Sequence, residues 1–113
     1  RRYKGKVKIH EGIDLAASSG TRVMSAEDGN VIFAGLKSGY GKVIVIKHKD
    51  NIKTIYAHLS KIFVSKEDYI SRGSIIGLVG ATGNARGRRD PSHLHFELII
   101  NDKKYNPLLH LTW

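Results

Sequence analysis

Two short stretches of this 113-residue chain hold side chains at spacings that could do chemistry. In Ser92-His93-Leu94-His95-Phe96-Glu97, two imidazoles and a carboxylate recur at alternate positions; in His10-Glu11-Gly12-Ile13-Asp14, a histidine stands four residues before an aspartate. Side chains alternate on a strand, so His93, His95 and Glu97 share one face while Leu94, Phe96, Leu98 and Ile100 point to the other. The imidazoles are then about 6.5 to 7 Å apart at the backbone, within reach of one metal-centred site. With no cysteine in the chain, a metal can be held only by His, Asp or Glu. His10 and Asp14, joined with His93 and His95, supply the His, His and carboxylate set of a catalytic zinc site, with one position left to water. The helical H-E-x-x-H protease pattern does not apply. Position 14 is Asp, and Gly12 weakens a helix there.

The elements that must position these residues are short strands separated by turns. Thr21 to Ser25 and Asn30 to Ala34 read as strands joined by a tight hairpin at Asp28-Gly29. Gly39-Tyr40-Gly41 makes the next turn, and Lys42 to His48, with Val43-Ile44-Val45-Ile46 inside it, reads as a central strand buried on both faces. Asp50-Asn51 turns the chain into Ile52 to His58, where Ile52, Thr54, Tyr56 and His58 are expected on one face with His58 ending the strand. Lys61 to Arg72 reads as a polar connection with one helical turn, and Ser74 to Val79 as a further strand. Gly80 to Ser92 reads as a long basic loop that delivers the chain to His93, and Asn101-Asp102 turns it toward Lys103 to Asn106. Such a succession predicts an all-β domain, a small antiparallel sandwich or open barrel.

Composition narrows the function classes. The length suits one domain, residues 1–113, and the start at Arg1 is expected to mark a fragment of a longer protein. No apolar run is long enough for a transmembrane helix. The 19 Lys and Arg against 10 Asp and Glu give a net charge of +9, which favours anionic partners. The basic residues are scattered except for Arg1 to Lys8 and Arg86 to Arg89, and no nucleic-acid-binding signature accompanies them. No nucleic-acid partner is expected.

His10-Glu11-Gly12-Ile13-Asp14-Leu15-Ala16, Tyr56-Ala57-His58-Leu59 and Ser92-His93-Leu94-His95-Phe96-Glu97 resemble the three signature blocks of the lysostaphin-type zinc endopeptidases, which cut cell-wall peptides. Ala26-Glu27-Asp28-Gly29, Gly39-Tyr40-Gly41, Ser71-Arg72-Gly73, Ile76-Gly77 and Asn106-Pro107-Leu108 match the same family's scaffold, in order and over nearly the whole chain. The resemblance implies a small antiparallel β-sheet groove with the metal on its floor. It implies that His10, Asp14 and His95 ligate zinc and that His58 and His93 are unligated catalytic histidines. The implied activity is hydrolysis of amide bonds in peptidoglycan cross-bridges or stem peptides, outside the cytoplasm. The alternative is a non-catalytic wall-binding or hydrolase-activating domain of the same fold.

Further residues carry expectations of their own. Tyr3 matches an oxyanion donor only loosely and is read first as a packing or exposed tyrosine, and Glu97 is read either as orienting a ligand from behind or as a solvated strand carboxylate. His48 and His110 lie outside every block and are expected to be structural. The loop from Gly83 to His93 is longer than the common family form and carries Arg86, Arg88 and Arg89, which could bind anionic cell-wall polymers.

Overall fold

A computed structural model describes residues 7–8, 12–80 and 93–105, with 7–8, 12–16, 93 and 105 described by their backbone. The strands of these residues are β1 (Val7–Lys8), β2 (Gly12–Ala16), β3 (Arg22–Met24), β4 (Gly29–Lys37), β5 (Gly41–Lys47), β6 (Ile52–Ile62), β7 (Tyr69–Ile70), β8 (Ile75–Val79), β9 (His93–Ile100) and β10 (Lys103–Tyr105). They form one antiparallel sheet whose main path runs β1-β2-β9-β6-β5-β4-β7, with β10 on β9 and the β3–β8 pair joined through β6. The all-β expectation holds.

One face of this sheet carries the core. Phe96 on β9 stands opposite Tyr56 on β6, Tyr56 opposite Ile44 on β5, and Ile46 opposite Val31 on β4. All five are almost fully buried, and the Tyr56 and Phe96 rings meet at 5.2 Å between centroids. Each such side chain contributes about 1.5 to 3 kcal/mol relative to exposure. β5 lies centrally between β4 and β6; Val43, Ile44 and Ile46 are buried as the four-residue apolar run predicts, whereas Val45 is only partly buried.

The predicted turns at Asp50-Asn51, between β5 and β6, and at Asn101-Asp102, between β9 and β10, both form. Asp50 and Asn51 (φ 59° and 57°), inside the short 3-10 turn Lys49–Asn51, and Asn101 and Asp102 (φ 52° and 65°), the two-residue turn between Ile100 and Lys103, all take the left-handed conformation. Asp and Asn tolerate it better than other residues with a Cβ.

The Asp28-Gly29 hairpin does not form. β3 pairs with β8, whereas β4 pairs with β5 and β7. Gly29 instead permits a close approach: a Cβ there would lie 2.5 Å from the Lys47 carbonyl oxygen and 2.8 Å from His48 Nδ1. The helical turn expected between Lys61 and Arg72 is also absent. β6 continues to Ile62, and a turn at Ser65–Asp68 then leads into β7. In that turn Asp68 N–H donates to the Ser65 carbonyl at 3.0 Å and Ser65 N–H to Asp68 Oδ2 at 2.8 Å. Burial of Ile70 beside β4 requires extended backbone, and that overrides the weak helical pattern.

Candidate active site

The face opposite the core gathers the predicted chemistry. β9 is flanked by β2 on one side and β6 on the other, and the register sets Asp14 directly opposite His95, Ala16 opposite His93, and Ala57 opposite His95. Directly opposed residues in an antiparallel pair share a face. Asp14, His93 and His95 therefore occupy adjacent positions on it.

His58 reaches the same face by breaking the alternation. Regular β6 backbone would send it toward the core with Tyr56, as the sequence reading expected. Instead His58 has φ 62°, and the β5–β6 register slips between Ile44↔Tyr56 and Lys42↔Leu59. This bulge re-aims the side chain. The His58 ring lies 5.9 Å from the His95 ring, edge to face, while Tyr56 packs on Phe96 on the other side of the sheet. Nor does His58 end the strand, because β6 runs on to Ile62 and pairs there with β8. Histidine is among the non-glycine residues that enter the left-handed region most readily, which suits it to this bulge.

Behind His95 lies a polar network. Glu97, 1% exposed, accepts from His95 Nε2 at 2.8 Å and from the Tyr40 hydroxyl at 3.2 Å, both on Oε2. The Lys104 ammonium lies 3.5 Å from Oε1, an ion pair without hydrogen-bond alignment. Burial pushes the Glu97 pKa up, but the His95 hydrogen bond and the Lys104 charge outweigh it and hold the carboxyl below its ordinary value. Glu97 is thus an anion. Burial and the Glu97 charge raise the Tyr40 pKa, so its phenol stays a donor. With an anionic acceptor on Nε2, His95 carries its proton there, which assigns Nδ1 to any ligated ion.

Tyr40 and Lys104 were not singled out by the sequence. Gly39-Tyr40-Gly41 signalled a turn, and an aromatic residue between two turn glycines was the clue to its use. Lys104 follows from register alone: it stands opposite Ile99 on β9, on the face shared by Glu97.

His10, Tyr3, Arg86, Arg88, Arg89 and His110 lie outside the described residues. Among the described residues no three His, Asp or Glu side chains cluster as a metal site; His10 is not among them, and Asp14 and His93 enter by backbone. His48 is structural as expected. Its Nδ1 is 2.7 Å from the Asp28 carbonyl oxygen and its Nε2 2.7 Å from Thr54 Oγ1.

The chemistry of the donor set fits a zinc ion. A carboxylate on a ligating histidine's second nitrogen is the usual support for such a ligand, and Glu97 provides it for His95. Asp14, directly across the strand pair, places a second donor residue beside it.

Comparison with known proteins gives this arrangement a context. The model of "Peptidase family M23" matches residues 8–107. The chain is 43% identical over 101 residues to the DD-carboxypeptidase/endopeptidase Mpg of Neisseria meningitidis, covering 89% of this chain and 22% of that protein. It is 37% identical over 103 residues to the murein hydrolase activator NlpD of Escherichia coli, covering 90% of this chain and 26% of that one. The catalytic domain of the antimicrobial peptidase lysostaphin from Staphylococcus simulans superposes with a TM-score of 0.85 at 29% identity, covering 95% of this chain and 90% of that chain. The chain spans about a quarter of the length of the curated relatives it matches.

Proposed function

This chain belongs to peptidase family M23, and we propose that it is a zinc-dependent endopeptidase that hydrolyses amide bonds in peptidoglycan cross-bridges or stem peptides. The observation that carries this reading is the opposition of Asp14 and His95 across β2 and β9, with Glu97 behind His95 and the His58 ring in front.

His10, Asp14 and His95 would hold the ion. Zinc supplies Lewis acidity, acidifying water and polarising the scissile carbonyl. The remaining work falls to the chain's own groups. His58 and His93, with imidazoles whose ordinary pKa lies near neutrality, divide two tasks between them. One takes a proton from the attacking water and returns it to the leaving amine as the carbon–nitrogen bond breaks. The other donates a hydrogen bond to the oxygen that gains negative charge. Glu97 keeps the His95 ring oriented, and its bond from Tyr40 keeps the carboxylate oriented in turn.

The Mpg relative, named a DD-carboxypeptidase/endopeptidase, together with the NlpD relative, named for a murein hydrolase, supports a peptidoglycan peptide as substrate. Such a substrate places the reaction outside the cytoplasm, in the periplasm, the envelope or the medium. Anionic wall polymers are proposed as further partners of Arg86, Arg88 and Arg89. The NlpD relative, named an activator, supports a second reading, a non-catalytic domain that activates another hydrolase. Retention of His10, Asp14, His58, His93 and His95 favours catalysis.

Digestion of isolated peptidoglycan, with products read by mass, tests the choice. New amine and carboxyl ends, lost on chelation and restored by zinc, are expected. Intact wall after zinc loading, together with stimulation of a separate wall hydrolase, would move the assignment to the activator.

A further inference from the structure

Tyr40 stands at the tip of the β4–β5 hairpin between Gly39 (φ 83°) and Gly41 (φ 68°), whose left-handed backbone folds the tip back over the sheet. From there it touches both sides of the site. Its carbonyl oxygen accepts from the His58 N–H at 2.9 Å, where the ladder between β6 and β9 ends at Ala57. Its hydroxyl donates to Glu97 Oε2, which also accepts from His95 Nε2, and its ring lies 6.2 Å from the His95 ring.

We propose that Tyr40 is a positioning residue that acts through Glu97 to fix the His95 imidazole for metal binding. The inference rests on the zinc-endopeptidase reading above and names a residue for that site which the sequence motif left as a turn. A carboxylate held by His95 alone can pivot about its own chain, and the imidazole pivots with it. Here Oε2 receives donors from Tyr40 and His95 while Lys104 lies against Oε1, so the carboxylate plane is set from three strands or turns of the fold. The ring that leans on that plane is ordered before the ion arrives. Ordering of this kind raises affinity because less freedom is lost on binding.

The test is a chelator-competition titration of zinc on the intact protein, using wild type, Tyr40→Phe, Glu97→Gln and the double variant. Tyr40→Phe removes one hydroxyl and leaves the ring and the carbonyl that holds His58 in place. It should weaken zinc binding about tenfold, at the low end of what loss of a supporting hydrogen bond to a metal ligand causes. In the Glu97→Gln background the same substitution should change affinity by less than about twofold, because the neutral acceptor couples the Tyr40 hydroxyl to the His95 ring only weakly. A packing defect would act equally in both backgrounds, whereas the positioning role confines the effect on affinity to the background that keeps the Glu97 carboxylate. Equal affinity of Tyr40→Phe and wild type, or an undiminished Tyr40→Phe effect beside Glu97→Gln, overturns the inference while leaving the zinc reading in place. A wild-type protein that takes up no zinc overturns both.

Discussion

The imidazoles of His58 and His95 lie 5.9 Å apart on one face of the sheet, although their strand neighbours Tyr56 and Phe96 stack on the opposite face. One left-handed residue in β6 produces this relationship. Ordinary alternation would turn His58 to the face of Tyr56, away from His95. The bulge converts a core position into a site position without moving either strand.

Replacing His58 should therefore separate chemistry from metal binding. His58→Ala removes a proton-transfer or oxyanion group and is expected to lower kcat by about 10²- to 10⁴-fold, with zinc content near wild type and a somewhat lower thermal midpoint, since Ala is disfavoured at φ 62°. Steady-state turnover on peptidoglycan fragments beside metal analysis checks this. Wild-type turnover in His58→Ala would remove the residue from the mechanism.

Glu97 should link metal affinity to acid stability. Glu97→Gln keeps the shape but weakens the acceptor on His95 Nε2, and zinc affinity should fall about 10- to 100-fold. In the zinc-free protein the carboxyl titrates below its unfolded value. Its contribution is fully present above about pH 4.3 and is lost as pH falls through the depressed folded value. Acid unfolding followed by circular dichroism should show a steeper loss in wild type than in Glu97→Gln over that window. Superimposable acid limbs would contradict the assignment of a charged Glu97.

How much of this could be read from residues alone depends on the distance over which each is determined. The turns Asp50-Asn51 and Asn101-Asp102 were legible because left-handed backbone is a local demand that Asn and Asp meet. The strand carrying His93 and His95 was legible because alternation is local too. Asp28-Gly29 misled, since a glycine needed for close approach of Lys47 looks identical in sequence to one needed for a turn. The face of His58 was misread for the same reason, as a bulge leaves no mark on an alternating pattern. Tyr40 and Lys104 reach Glu97 only through strand pairing between distant segments, which no local pattern encodes.

Gly29 gives a direct check of that close approach. Gly29→Ala would press a methyl against the Lys47 carbonyl, a backbone atom that cannot swing aside. Overpacking of this kind costs about 1 to 3 kcal/mol. A lower thermal midpoint is expected, with zinc affinity of the folded fraction unchanged. An unchanged midpoint would show that the β4–β5 pair accommodates a side chain there.

Arg86, Arg88 and Arg89, in the segment that precedes β9 in the sequence, should act at longer range. Changing Arg86, Arg88 and Arg89 together to Ala is expected to weaken sedimentation with anionic wall polymer at low salt and to leave little difference from wild type at high salt, where screening removes the attraction. Equal binding at both salt concentrations would reduce the segment to a solvated surface.

The central claim is a zinc centre built on Asp14 and His95, and elemental analysis of the purified, zinc-loaded protein tests it most directly. Wild type, His95→Ala and His93→Ala are compared side by side. About one zinc per chain is expected in wild type, lost in His95→Ala and retained in His93→Ala, whose turnover falls while its metal stays. Wild type without zinc, or His95→Ala with an undiminished zinc content, would contradict the account.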